Sequence, residues 1–247
     1  MDEARTPTTG RPRSARWRSR WLMPGVPAVV LVILTVNVLA TGPLVGADQR
    51  IRTFTRSLAS SPGWHWLGGP ARLIVDLANP LVAVAVLTVS ALVVGARRRS
   101  LRPLLTAAVA AILLLVTVVP GKILIGRLAP GRLRPLAPGG LGSFPSGHTT
   151  TASVCYVLAV LLPLLPLLPY LPAWIRRVAL ACLPVWCVLV GAALVWLNYH
   201  WFTDVAAGWA LAAIIIQVTL RLTRGPYSGR TTPPGVPDKR IASASTT

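Results

Sequence analysis

Acidic side chains are scarce in this chain: six Asp and Glu stand among 247 residues, against 25 Lys and Arg, and none lies between Asp76 and Asp204. Charge of both signs is thin, at 13% of residues, too little to cover the surface of a soluble domain of this length. Cysteine is limited to Cys155, Cys182 and Cys187. An odd number set in apolar stretches argues against a disulfide framework and for small packing residues. No signal peptide with a cleavage site is apparent either. The basic N-terminus runs into an apolar stretch at 22–45, too long for a signal-peptide core, which reads as a retained first span. No internal repeat is visible.

What is abundant is apolar length. The chain is 53% hydrophobic, with mean hydropathy +0.63. It tiles into six stretches long enough to cross a hydrocarbon core, at about 22–45, 73–96, 103–121, 149–172, 178–199 and 204–222. The fold expected is all-α: a polytopic bundle of six transmembrane helices, forming one membrane domain over 22–222. It is flanked by polar tails at 1–21 and 223–247 that read as disordered. The fourth stretch runs into Pro163, Pro166, Pro169 and Pro172, which should bend or end its helix.

Most of the basic residues fall at one membrane face. The N-terminal tail, Arg97, Arg98, Arg99 and Arg102 after the second span, Arg176 and Arg177 before the fifth, and the C-terminal tail all share it. By the positive-inside rule this face is cytoplasmic, so the chain is expected to be a multi-pass cell-membrane protein with both termini inside. The formal net charge of +19 is thereby spread between spans, and no nucleic-acid partner is expected.

Two basic groups remain on the outer side. Arg50, Arg52, Arg56 and Arg72 flank 46–72, which suits an interfacial amphipathic helix with Ile51, Phe54 and Leu58 toward lipid. Lys122, Arg127, Arg132 and Arg134 crowd one short loop that holds no carboxylate. Such cations fit either a phosphate ligand or simple attraction to anionic headgroups. On charge alone the two readings are level.

The run Ser143-Phe-Pro-Ser-Gly-His148 tips the balance. It precedes the fourth span, so Ser146, Gly147 and His148 open a helix, where free N–H groups and the dipole favour an anion. A plain turn with a Ser cap is the competing reading. Farther on, His200 and Asp204 stand four apart where the fifth span ends and the sixth begins. The carboxylate can then hold one ring nitrogen and leave the other poised as base or nucleophile. With six spans Lys122, His148, His200 and Asp204 all reach the outer face. Two histidines, one carboxylate and a cationic cradle are the parts of a metal-free phosphoryl transfer. A two-metal centre is not expected, because Asp48 and Asp76, the other carboxylates on offer, are far from Asp204 in sequence.

These residues resemble the type 2 phosphatidic acid phosphatase family of membrane enzymes, whose site is shared with vanadium haloperoxidases. The family carries K-x6-R-P, P-S-G-H and S-R-x5-H-x3-D. Here the second motif is complete at 145–148. The first keeps Lys122 and Pro130 but has Ala129 at its arginine, and the third keeps His200 and Asp204 but has Ala193-Leu194 in place of Ser-Arg. The resemblance implies that His200 is the nucleophile, Asp204 fixes its ring, and His148 is the general acid. Lys122, Arg127, Ser146 and Gly147 would hold the phosphoryl oxygens, with Arg127 standing in for the lost arginines, and Arg132 and Arg134 farther off. No cofactor is implied. The expected activity is metal-independent hydrolysis of a lipid phosphate or polyprenyl diphosphate at the outer leaflet, through a phosphohistidine. The alternative is a weak or inactive lipid-binding or transport protein that keeps the fold.

Overall fold

A computed structural model describes residues 13–132, 140–164, 167 and 170–223, with side chains from Gly25 onward. Arg134, most of the two expected tails (1–12 and 224–247) and parts of two loops lie outside the described residues. Among the described residues every regular element is helical: α1 (Arg13–Leu39), α2 (Pro43–Ala59), a short 3-10 turn (His65–Leu67), α3 (Gly68–Leu77), α4 (Pro80–Arg98), α5 (Arg102–Ile125), α6 (Gly147–Leu164), α7 (Ala173–Trp196) and α8 (Phe202–Thr223). Helices α4 to α8 are each long and apolar enough to cross a membrane. The apolar part of α1 reaches that length only when joined to α2, from which it is bent by 85°. The chain is a multi-pass membrane protein built as an all-α bundle.

The breaks between helices follow from local chemistry. Pro80 lacks an N–H and drives Asn79 out of helical geometry (φ −53, ψ 133); the Asn79 carboxamide then caps α4 by accepting from Leu81 N at 3.0 Å. The stretch expected as one span at 73–96 is therefore two helices, α3 and α4. Likewise α6 stops at Leu164, one residue past Pro163, well short of the expected 172. After α1 the chain turns at Thr41, whose φ is +49. Asn37 Oδ1 accepts from Leu44 N at 3.0 Å and so fixes the start of α2 to the end of α1. At the other end of the chain's first helix, α1 begins at Arg13, inside the segment 1–21 expected as a tail.

Helix α2 is the expected amphipathic element of the 46–72 segment, with a difference. Phe54 is exposed, whereas Ile51 and Leu58 are half-buried. Asp48, three residues before Ile51 and on the same face, is 2% exposed. A helix lying only on headgroups would bury no carboxylate. One face of α2 belongs to the protein interior.

Helix α6 runs through the middle of the bundle. Its buried Val154, Cys155, Leu158 and Ala159 pack with Ala83 and Leu87 of α4, Ala110 and Leu114 of α5, and Ala212 and Ile215 of α8. Small residues let these backbones approach, and Ser90 Oγ donates to Ala159 O at 2.8 Å across the α4–α6 seam. A second cluster joins Ala71 and Val75 of α3 to Val190 and Leu194 of α7 and Val205 of α8. Gly191 is what lets α7 meet α8 there, since a methyl group on it would strike the Trp209 ring and Val205. On the outside Leu81, Leu115, Leu124 and Val185 lie bare, the arrangement a hydrocarbon solvent accepts and water does not.

Candidate active site

The ends of α5 and α7 and the starts of α6 and α8 meet at one end of the bundle, and the charged residues of the chain's interior gather there. Helix α5 stops at Gly126, which takes the left-handed conformation (φ +58). The segment that returns toward α6 then lies against this terminus. Gly142 N donates to Lys122 O at 3.1 Å, and Ser143 N to Arg127 O at 2.7 Å. Gly142 has to be glycine, because a Cβ would come within 2.8 Å of Arg127 N. Phe144, 1% exposed, anchors the segment between Leu34 of α1 and Ala207 of α8.

This return delivers Ser146, Gly147 and His148 beside Lys122. The Lys122 ammonium donates to Gly142 O at 2.8 Å. Its Cε would sit 3.2 Å from a methyl group placed on Gly147. A side chain at 147 would therefore fill the space over the lysine. Ser146 is fully buried and caps α6, its Oγ accepting from Thr149 N (3.3 Å) and Thr149 Oγ1 (2.9 Å). The cap allowed by the sequence is thus formed. Ser146 N donates to Asp204 O at 3.0 Å, which ties the α6 terminus to the α8 terminus.

At the end of α7 the chain turns through Asn198 (φ +58), and Leu194 O accepts from Tyr199 N at 3.0 Å. This turn brings His200 inward, 9% exposed, with its ring 6.4 Å centroid to centroid from that of His148 and inclined by 60°. His200 Nδ1 lies 3.3 Å from Asp204 Oδ2, leaving Nε2 away from the carboxylate. The structure thus brings Lys122, Ser146, Gly147, His148, His200 and Asp204 together at one end.

Arg127 is there too, in a different posture from that of a phosphate ligand. Its Nη1 donates to Asp204 Oδ1 (2.6 Å) and Thr203 Oγ1 (2.6 Å), and its Nη2 to Asp48 Oδ2 (2.7 Å). The loop between α5 and α6 holds no carboxylate of its own, yet Arg127 is not left uncompensated. Its partners come from other elements, Asp48 from 79 positions upstream. Arg132 is exposed at a turn in which its N donates to Ala129 O (3.1 Å), and Arg134 lies outside the described residues. Leu194, at the family's arginine position, is wholly buried in the α3–α7–α8 cluster.

Sequence reasoning missed four residues. Asp48 was set aside as distant, yet it accepts from Thr203 N (3.0 Å) and Thr203 Oγ1 (2.5 Å) as well as from Arg127. Arg52, one turn along α2, donates through Nε to Asn198 Oδ1 (3.0 Å) and lies over the Trp201 ring. Arg127 covers the same ring, while Trp201 Nε1 donates to Leu128 O at 2.8 Å. Thr203 had no local signal at all. For Asp48 there was one: in a chain with six acidic residues, a carboxylate on an otherwise basic helix had to be matched with something. Among the described residues no three His, Cys, Asp or Glu side chains are grouped so that they could hold a metal ion.

Comparison with known proteins points the same way. The model of the PAP2 superfamily matches residues 103–226. Among solved structures, a transmembrane PAP2-type phosphatidylglycerolphosphate phosphatase from Bacillus subtilis is similar, with a TM-score of 0.68 and 25% identity. The match covers 81% of this chain and 95% of that one. No curated protein matches the chain.

Proposed function

Since the chain belongs to the PAP2 superfamily, we propose that it hydrolyses a lipid phosphate or polyprenyl diphosphate at the outer leaflet, without metal, through a phosphohistidine. The observation that carries this reading is the facing pair of imidazoles, 6.4 Å apart, one of them held by a buried carboxylate. A phosphoryl group between the rings can be attacked by His200 Nε2 from one side. The P–O bond to the lipid alcohol breaks on the other, where His148 gives its proton to the leaving oxygen. His148, now neutral, then takes a proton from water as that water attacks phosphorus. The N–P bond breaks and inorganic phosphate leaves. Lys122 and the Gly147 backbone flank the space and are suited to the charge on the equatorial oxygens.

The solved relative acts on phosphatidylglycerolphosphate, which makes that lipid the first candidate here, ahead of phosphatidate and polyprenyl diphosphates. Purified protein in detergent is expected to release phosphate from at least one of the three in the presence of a chelator, with vanadate inhibiting. Vanadate imitates the five-coordinate state between the rings. Activity that vanishes in chelator and returns with magnesium would count against the two-histidine route.

A second reading draws on one observation, the burial of Leu194 and the presence of Ala129 where the family has arginines. Each lost charge-assisted hydrogen bond is worth about 1.5–3 kcal/mol. A lipid-binding protein with the fold and no turnover would follow. Phospholipid binding by a protein that releases no phosphate from any of the three lipids would favour it.

The orientation carries its own test. Leu141 is exposed on the segment between α5 and α6. A Leu141→Cys protein is expected to react with an impermeant thiol reagent in intact cells, above the level of the parent chain. Reaction only after permeabilisation would turn the molecule over and move the site to the inner leaflet.

A further inference from the structure

We infer that Asp48 and Arg127 are positioning residues, a buried carboxylate–guanidinium relay that aims Asp204 at His200 and restores the negative charge His200 needs. The inference rests on the reading of His200 as the nucleophile. Its basis is one connected set of contacts. The Arg127 guanidinium, 11% exposed, bridges Asp204 Oδ1 on one side and Asp48 Oδ2 on the other; both carboxylates are closed to solvent. Thr203 fills the gap between them, giving its N–H and hydroxyl to Asp48 while its oxygen accepts from Arg127. The second oxygen of Asp204 is left to His200 Nδ1 and to Trp201 N, both at 3.3 Å.

Charge explains why two carboxylates are present. An Arg127–Asp204 pair alone is neutral and would give His200 little help in carrying positive charge as its ring takes the phosphoryl group. Asp48 brings the buried set to a net charge of −1, so that a full negative charge stands behind the ring. Geometry adds a second point. With Oδ1 fixed by Arg127, Asp204 cannot turn away, and Nδ1 keeps the proton while Nε2 stays free for phosphorus. A guanidinium spent on two carboxylates is also poorly placed to bind substrate, which separates this role from that of a phosphate ligand.

Among the described residues the charged and titratable groups near His200 are Asp204 of α8, His148 of α6, Lys122 of α5, Arg127 beyond α5, Asp48 and Arg52 of α2, and the neighbouring Tyr199. An Asp48→Asn variant changes one of these and nothing else in shape. Its kcat is expected to fall about 10- to 100-fold, while inhibition by inorganic phosphate is unchanged. KM is expected to stay within about twofold of the parent's, so that the loss falls on kcat. Asp48→Glu keeps the charge and should recover most of the lost kcat. Thr203→Val removes the hydroxyl without touching charge and should lose less than Asp48→Asn. Thermal unfolding in detergent checks that each variant is folded.

Wild-type kcat in a folded Asp48→Asn protein overturns the relay. So does an equal loss of kcat in all three variants, with no recovery in Asp48→Glu, which is the mark of a merely structural contact. Weaker inhibition by inorganic phosphate in Asp48→Asn overturns it as well, returning Arg127 to the phosphate. Absence of phosphate release from the wild-type protein sinks the underlying reading instead, and is told apart by that control.

Discussion

Replacing His200 by alanine is expected to abolish phosphate release, with turnover falling by roughly four to six powers of ten. The ring is 9% exposed, faces His148 across 6.4 Å and rests on Asp204. No other described nucleophile stands between those groups, since Ser146 is sealed under the α6 terminus as its cap. Alanine leaves a small polar-walled void at a loop, so the fold should survive and phospholipid binding should persist. The informative measurement is single-turnover phosphate release by purified protein, alongside a binding assay with the same lipid. In the wild-type protein an acid-labile, base-stable phosphoenzyme should accumulate in a quench, and in the variant it should be missing. Retention of more than about a tenth of wild-type turnover in His200→Ala would exclude the phosphohistidine.

The second large effect is expected at Asp204. Asparagine there has nearly the same shape, so what changes is charge and hydrogen-bond sense. The amide presents either an N–H or an oxygen to His200 Nδ1, and the ring tautomer is no longer fixed. In a Ser–His–Asp triad the same exchange costs about 10⁴ in kcat, and a loss on the order of 10³ to 10⁴ is expected here. Unlike His200→Ala, this change should also weaken the fold. Asp204 is fully buried and accepts from Arg127 at 2.6 Å. Its removal leaves a guanidinium of 11% exposure with Asp48 as its one carboxylate. Breaking a buried pair from one side costs roughly 3–5 kcal/mol, a cost Asp48 should reduce. Asp204→Asn should therefore unfold at clearly lower temperature than His200→Ala in the same detergent. Equal melting of the two, with Asp204→Asn still active, would remove Asp204 from both roles.

The bundle and the facing histidines were legible for different reasons. Hydropathy sets the spans because the solvent is apolar, and the parity of six crossings puts Lys122, His148, His200 and Asp204 at one end without any knowledge of packing. The Ser146 cap and the His200–Asp204 spacing are local, and local chemistry is written in short stretches of chain. What escaped depends on proline or on distance. The apolar run at 73–96 hides the break between α3 and α4, because Pro80 interrupts hydrogen bonding without interrupting hydropathy. Arg127 could be read only as a free cation, since its partners Asp48 and Asp204 lie 79 and 77 positions away. Beneath Arg50 and Arg56 the one signal was compositional, a lone carboxylate on a basic helix, and it could not say which cation Asp48 would meet.

The buried bridge from α2 to α8 also bears on how the protein comes into being. Thr203 follows Asp48 by 155 positions, and Arg127 is made between them. A chain emerging into the membrane therefore carries Asp48 and then Arg127 long before Asp204 exists. Loop closure over that length comes late and at a cost in entropy. Until α8 is inserted, His148, Lys122 and His200 are present without the Asp204 carboxylate that holds the His200 ring. On the proposed mechanism a half-made molecule is therefore expected to be inactive toward the lipids that surround it. The carboxylate proposed to aim His200 arrives with the last helix, and the contact that fixes it also ties α8 to α2.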